Sequence, residues 1–99
     1  MKTIKVSLYS ESPLVKSSAS IGQAMRASRT QSKLKQSEAA LLIGISLQTL
    51  VDIEAGKASV GIGKVLQAAE VLGVDLFVLP RSLRDQVQQR LKGLVKNET

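Results

Sequence analysis

The sequence predicts a mostly α-helical domain of five helices, with one short β-strand before the first helix and another between the fourth and fifth. Three observations predict it. Apolar residues recur at helical spacing from about residue 20 to residue 72. Gly44, Gly56 and Gly73 punctuate that spacing where helices should stop. Residues 3–9 alternate polar and apolar, and residues 74–79 form an apolar run closed by Pro80.

At residues 3–9, Ile4, Val6 and Leu8 point one way, as a half-buried strand requires. Ser10 to Ser20 is a Ser-rich connection containing Pro13. A first helix is expected from about Ser20, with Ile21, Ala24, Met25 and Ser28 inward and Arg26, Arg29 and Lys33 outward. The second runs from Gln36 to Ile43, with Ala39, Ala40, Leu42 and Ile43 available for packing. Gly44 supplies a left-handed turn, and Ser46 is a good N-cap for a third helix over 47–55. Leu50 and Ile53 should face the core. A fourth helix carries Ile62, Val65, Leu66, Ala69 and Leu72, although Gly61 and Gly63 weaken its start by about 1 kcal/mol each relative to Ala. Ser82 can cap a fifth helix with Leu83, Val87, Leu91 and Leu94 on one face, and Lys96 to Thr99 should fray.

A lone strand cannot satisfy its own backbone groups. The two strands can pair within one chain or across two. Pairing across two chains is favoured for 74–79, because both faces of that run are apolar. Val74, Leu76, Phe77 and Val78 are therefore the candidate dimerisation residues. Three units follow: an N-terminal strand and linker over 1–19, a helical domain over 20–73, and a dimerisation strand with the C-terminal helix over 74–99.

Composition excludes several functions. The 99 residues hold neither cysteine nor histidine, which removes disulfides, the usual metal ligands and the commonest general base. No catalytic residue, metal or cofactor is expected. No apolar run approaches membrane-spanning length and no signal-peptide pattern opens the chain, so a cytoplasmic protein without a membrane partner is expected. The net charge of +6 is uneven: residues 1–35 carry +6, residues 36–80 carry −3 and residues 81–99 carry +3. A basic chain of this size suits a polyanion. Tyr9 and Phe77 are the only aromatics, too few for a base-stacking platform.

The decisive stretch is 36–57. A short apolar helix stops at Gly44, and Ser46 starts another: this is a helix-turn-helix, whose second helix lies in the major groove of DNA. Gln36, in the first turn of its helix, can grip a phosphate together with free backbone N–H groups. Ser46, Leu47, Gln48 and Thr49 form the leading edge of the third helix. There Gln48 can bond the N6/N7 edge of adenine, Leu47 and Thr49 can touch a thymine methyl, and Ser46 can bond base or phosphate or act only as a cap. Lys57 is placed for a phosphate. Asp52 and Val51 lie on the outer face, where an acid would be repelled by phosphates.

Gln36, Ala40, Gly44, Ser46, Thr49, Ile53, Glu54, Gly56 and Gly73 stand where the XRE/Cro-type helix-turn-helix family has the same residues. The resemblance covers about residues 20–74 and implies a lambda-repressor-like five-helix fold. It also implies that Glu54 bonds across the domain rather than reading DNA. Lys35 replaces the usual Thr or Ser cap and becomes a possible phosphate contact, and Leu41 replaces a residue that is usually charged. A last helix leading through Leu72-Gly73-Val74 into an apolar strand resembles the HipB-type antitoxins. That resemblance implies a homodimeric transcriptional repressor on palindromic operator DNA, with a HipA-type serine/threonine kinase toxin as partner. A stand-alone repressor of the same family, phage-like or metabolic, is the first alternative. A protein-bridging adaptor that does not read DNA is the second, and Gln48 with the basic first helix weighs against it.

Overall fold

The computed structural model describes residues 3–10, 12–92 and 94, and the fraying expected at Lys96 to Thr99 lies outside them. Five α-helices follow in order: α1 (Ser18–Gln31), α2 (Gln36–Ile43), α3 (Leu47–Glu54), α4 (Ile62–Leu72) and, after a 3-10 turn at Arg81–Leu83, α5 (Arg84–Leu91). α1 packs on α3 and α4, and α2 packs on α3 and α4, so four short helices share one core. That core is Met25, Ala39, Ala40, Ile43, Leu50, Ile53, Ala68, Ala69 and Leu72. Four of these nine are alanines. Small side chains on α2 and α4 let the backbones approach closely, while Met25 and Leu50, wholly buried, fill the centre.

Local chemistry explains the boundaries. Lys35 stands at the N-cap of α2, where its side chain cannot accept a hydrogen bond; the carboxylate of Glu38 accepts instead from the Lys35 backbone N–H at 2.8 Å. Gly44 ends α2 in the left-handed region at φ 87°, and its N–H donates to the Ala40 carbonyl. Ser46 caps α3 as expected: its Oγ accepts from the Thr49 N–H at 3.0 Å. α4 closes at Gly73, and the Ser28 hydroxyl donates to the carbonyl of Leu72, tying α4 to α1.

Gly22, in the second turn of α1, carries no mark in the sequence pattern. It lies where α1 runs hard against α3: a Cβ there would lie 2.5 Å from the Ile53 carbonyl oxygen and 2.7 Å from that of Glu54. The contact continues at the helix ends, where the Ser18 hydroxyl donates to the Gly56 carbonyl at 2.9 Å.

Several expectations are corrected. Among the described residues there is no β-strand. The N-terminal segment is extended, with Ile4 and Val6 half-buried, but its neighbour is a helix, which offers no backbone ladder. Its polar groups go to side chains of α1 instead: the Ser7 N–H donates to Thr30 Oγ1 at 2.8 Å, and Gln31 Nε2 donates to the Ser7 carbonyl at 3.0 Å. Residues 74–79 do not pair with residues 3–9. Val74 and Leu76 pack against the chain's own core, which leaves Phe77 (82% exposed) and Val78 (97%) facing outward. α1 starts at Ser18, two residues before the expected Ser20. Leu42, Ile62 and Leu66, expected inside, are exposed, because the inward positions of α2 and α4 are taken by Ala39, Ile43, Ala68 and Leu72. Leu41 is exposed, as its replacement of a charged residue suggested. α5 buries no residue, and its start is not capped by Ser82. Gln88 joins it to the linker, donating to Ser12 Oγ at 3.2 Å.

Candidate nucleic-acid interface

The geometry of α3 separates two faces. Leu50, Ile53 and Glu54 turn inward and are buried. Ser46, Leu47 and Gln48 stand at the solvent-exposed front, with Thr49 half-buried beside them. The Ser46 and Thr49 hydroxyls bond one another at 2.8 Å, so Ser46 is a cap whose remaining hydrogen-bonding capacity faces outward. An exposed, polar leading edge on a rigidly packed short helix is what base-edge readout requires.

Gln48 is not idle in the free protein. Its Nε2 donates to Asp52 Oδ1 at 2.9 Å, one helical turn along. The same oxygen lies 3.3 Å from Lys57 Nζ, the cation expected to meet a phosphate. The hydrogen bond from Gln48, followed by that from Lys57 and its charge, holds the Asp52 carboxyl below the usual value of 3.8. Asp52 is therefore ionised at neutral pH and locally compensated by Lys57, which answers the repulsion expected of an acid on this face.

Behind this surface lies a buried ionic cluster centred on Glu54. Its side chain is fully enclosed and takes Arg29 Nε at 2.6 Å and Arg29 Nη2 at 2.8 Å, a two-pronged contact. Arg26 Nε approaches at 3.4 Å, and Arg29 Nη1 also donates to the Leu34 carbonyl at 2.8 Å. Arg29, expected on the outside, is thus an internal residue. The reason is its partner 25 positions away, which helical periodicity cannot register. Glu54 bonds across the domain, as the family resemblance implied.

Gln36 is drawn into this cluster. It is half-buried, and its Nε2 donates to Glu54 Oε1 at 3.3 Å. Any phosphate contact it makes uses its remaining donor or the free N–H groups of the first turn of α2. Lys35 is exposed beside it. Arg26, half-exposed, was not among the expected contacts; its position on α1 beside Glu54 links the cluster to solvent.

The comparisons with known proteins agree with this architecture. The helix-turn-helix family profile matches residues 25–79, more than half of the chain. The chain belongs to the helix-turn-helix family of XRE type. It is 42% identical over 65 residues to the HTH-type transcriptional regulator y4mF of Sinorhizobium fredii, covering 66% of this chain and 86% of that protein. Its fold is similar to that of a chain in a HipA-HipB-O2-O3 complex, with a TM-score of 0.62 and 22% identity over 69% of this chain and 96% of that one. A HipB-O4 20mer complex gives the same values: TM-score 0.62, 22% identity, and coverage of 69% and 96%. Among the described residues no helix is long and apolar enough to cross a membrane.

Proposed function

We propose that this protein is a homodimeric, sequence-specific transcriptional repressor that binds palindromic operator DNA and also serves as the antitoxin of a HipA-type serine/threonine kinase. The observation that carries the DNA-binding half is the front of α3: Ser46, Leu47 and Gln48 are exposed while every large apolar residue of that helix except Leu47 and Val51 is buried. Two such helices related by a two-fold axis meet half-sites about one helical turn apart, roughly 34 Å. Lys35, Lys57 and the first turn of α2 at Gln36 fix the register on the backbone, and Gln48, Leu47, Thr49 and Ser46 read base edges.

The dimer is supported by residues 74–79. Phe77 and Val78 present an extended apolar segment that the described residues of a single chain leave uncovered. A second copy of the same segment offers both the missing backbone partner and the missing apolar contact. The antitoxin half rests on the fold's likeness to HipB, one of whose complexes includes HipA.

Neutralisation on this reading is by binding, since the chain holds neither His nor Cys to do chemistry. The test is purification of the tagged protein from its host, with mass spectrometry and sequencing of what accompanies it. A stoichiometric kinase together with DNA from upstream of its gene is the expected result. DNA without a kinase would leave a stand-alone repressor, and a protein without DNA would support an adaptor. Affinity for duplex DNA should fall on the order of a thousandfold between about 50 and 200 mM salt if about six phosphates are neutralised.

A further inference from the structure

Gln48 can present either end of its amide to a base pair. Flipping the amide exchanges an acceptor oxygen for a donor nitrogen, and the two ends read different bases. Adenine N6 and cytosine N4 are donors in the major groove and need the oxygen; guanine N7 and O6, thymine O4 and adenine N7 are acceptors and need the nitrogen, and of the four bases only adenine and cytosine offer the oxygen a partner. What decides the orientation of an exposed glutamine is its hydrogen-bond environment.

Here that environment is one carboxylate. Gln48 Nε2 sits 2.9 Å from Asp52 Oδ1. The flipped amide would bring its oxygen against a carboxylate oxygen, with no proton between them. An ionised carboxylate accepts only, so one orientation is bonded and the other is repelled. Lys57 Nζ, 3.3 Å from the same oxygen, keeps the carboxylate charged and reduces the repulsion that it would exert on phosphates. The depressed titration of the Asp52 carboxyl, caused first by Gln48 and then by Lys57, is consistent with both contacts.

Resting on the proposed reading of DNA by α3, we infer that Asp52 is a specificity-determining positioning residue: it locks the Gln48 amide with its oxygen forward, so that Gln48 selects adenine or cytosine and rejects guanine and thymine. The acid on the recognition helix touches no base. It sets which atom of its neighbour does, one helical turn away. Lys57 completes the arrangement by pairing the carboxylate, at some expense to its own freedom to seek a phosphate.

The experiment is selection of bound sequences from a randomised duplex library by the full-length protein, its Asp52→Ala variant and its Gln48→Ala variant, with affinities then measured on the recovered sites. Wild type should enrich a two-fold motif with one position per half-site restricted to adenine or cytosine. Gln48→Ala should lose the restriction at that position and no other. Asp52→Ala should retain the rest of the motif but accept guanine or thymine there, erasing a preference of roughly five- to a hundredfold. A motif unchanged in Asp52→Ala would overturn the inference while leaving the DNA-reading assignment in place. Failure of the wild type to enrich any motif would instead remove that assignment, and this inference with it. Circular dichroism of the variants separates both outcomes from misfolding. Because neither Gln48 nor the half-buried Asp52 belongs to the core, both variants should melt close to the wild type.

Discussion

Replacing Glu54 by alanine is the perturbation whose consequence the structure fixes most tightly. Three side chains donate to this one carboxylate: Arg29 through two bonds at 2.6 and 2.8 Å, Arg26 at 3.4 Å and Gln36 at 3.3 Å. Alanine leaves the buried Arg29 guanidinium with the Leu34 carbonyl alone. Removing one member of a buried ion pair costs about 3–5 kcal/mol, mostly because the other charge stays behind without compensation. The two-pronged geometry points to the upper half of that range. A domain of this size has only about 5–15 kcal/mol in total, so the variant should lie near its unfolding threshold. Arg29→Met should cost less, since Glu54 keeps Arg26 and Gln36. The combined Arg29→Met, Glu54→Leu variant should recover much of the loss, because an apolar pair of similar volume substitutes well for a buried ion pair. Equilibrium unfolding in urea, followed by far-ultraviolet circular dichroism, measures all three. A loss below about 1 kcal/mol for Glu54→Ala, or a double variant no more stable than Glu54→Ala, would refute the reasoning.

Three further outcomes are expected. Gly22→Ala should destabilise by about 1–3 kcal/mol in thermal melts, because its methyl meets backbone carbonyls of α3 that cannot swing aside. Gly63→Ala should do the opposite, stabilising by about 1 kcal/mol, since a Cβ there meets nothing within 4 Å and the helix gains rigidity. The Asp52 carboxyl should titrate below 3.8 by NMR and move upward in Gln48→Ala, which removes the first cause of its depression. The sign follows from that depression: the Gln48–Asp52–Lys57 contacts are fully present above the ordinary aspartate value and are lost as pH falls through the folded one.

What could be read in the sequence was local. Gly44 and Ser46 announce the turn within a few residues of where it forms, and Met25 and Ser28 of α1, with Leu50 and Ile53 of α3, follow from spacing alone. What could not be read depended on distant partners. Arg29 looks like one more surface cation until Glu54, 25 residues on, is seen beside it, and the charge attributed to a DNA-facing first helix shrinks accordingly. Gly22 has no local signature, because its need is the backbone of α3. The alternation does record a half-buried extended segment at Ile4 and Val6, although Leu8, expected on the same face, is exposed, and periodicity cannot say whether its neighbour is a strand or a helix. Val74 and Leu76 were grouped with Phe77 and Val78 by composition, and the fold divides them between its own core and the outside. Of the residues expected to meet DNA, Ser46, Leu47 and Gln48 are exposed, whereas Thr49 is half-buried and Gln36 is partly committed to the interior.

Whether α3 reads sequence through Gln48 is decided by one comparison. The affinities of wild type and Gln48→Ala are measured side by side on a duplex recovered by selection and on a duplex of random sequence, at the same salt. Gln48→Ala should lose about 1–3 kcal/mol on the selected duplex and nothing on the random one. An equal loss on both, or none on either, would contradict it and assign sequence reading to other residues.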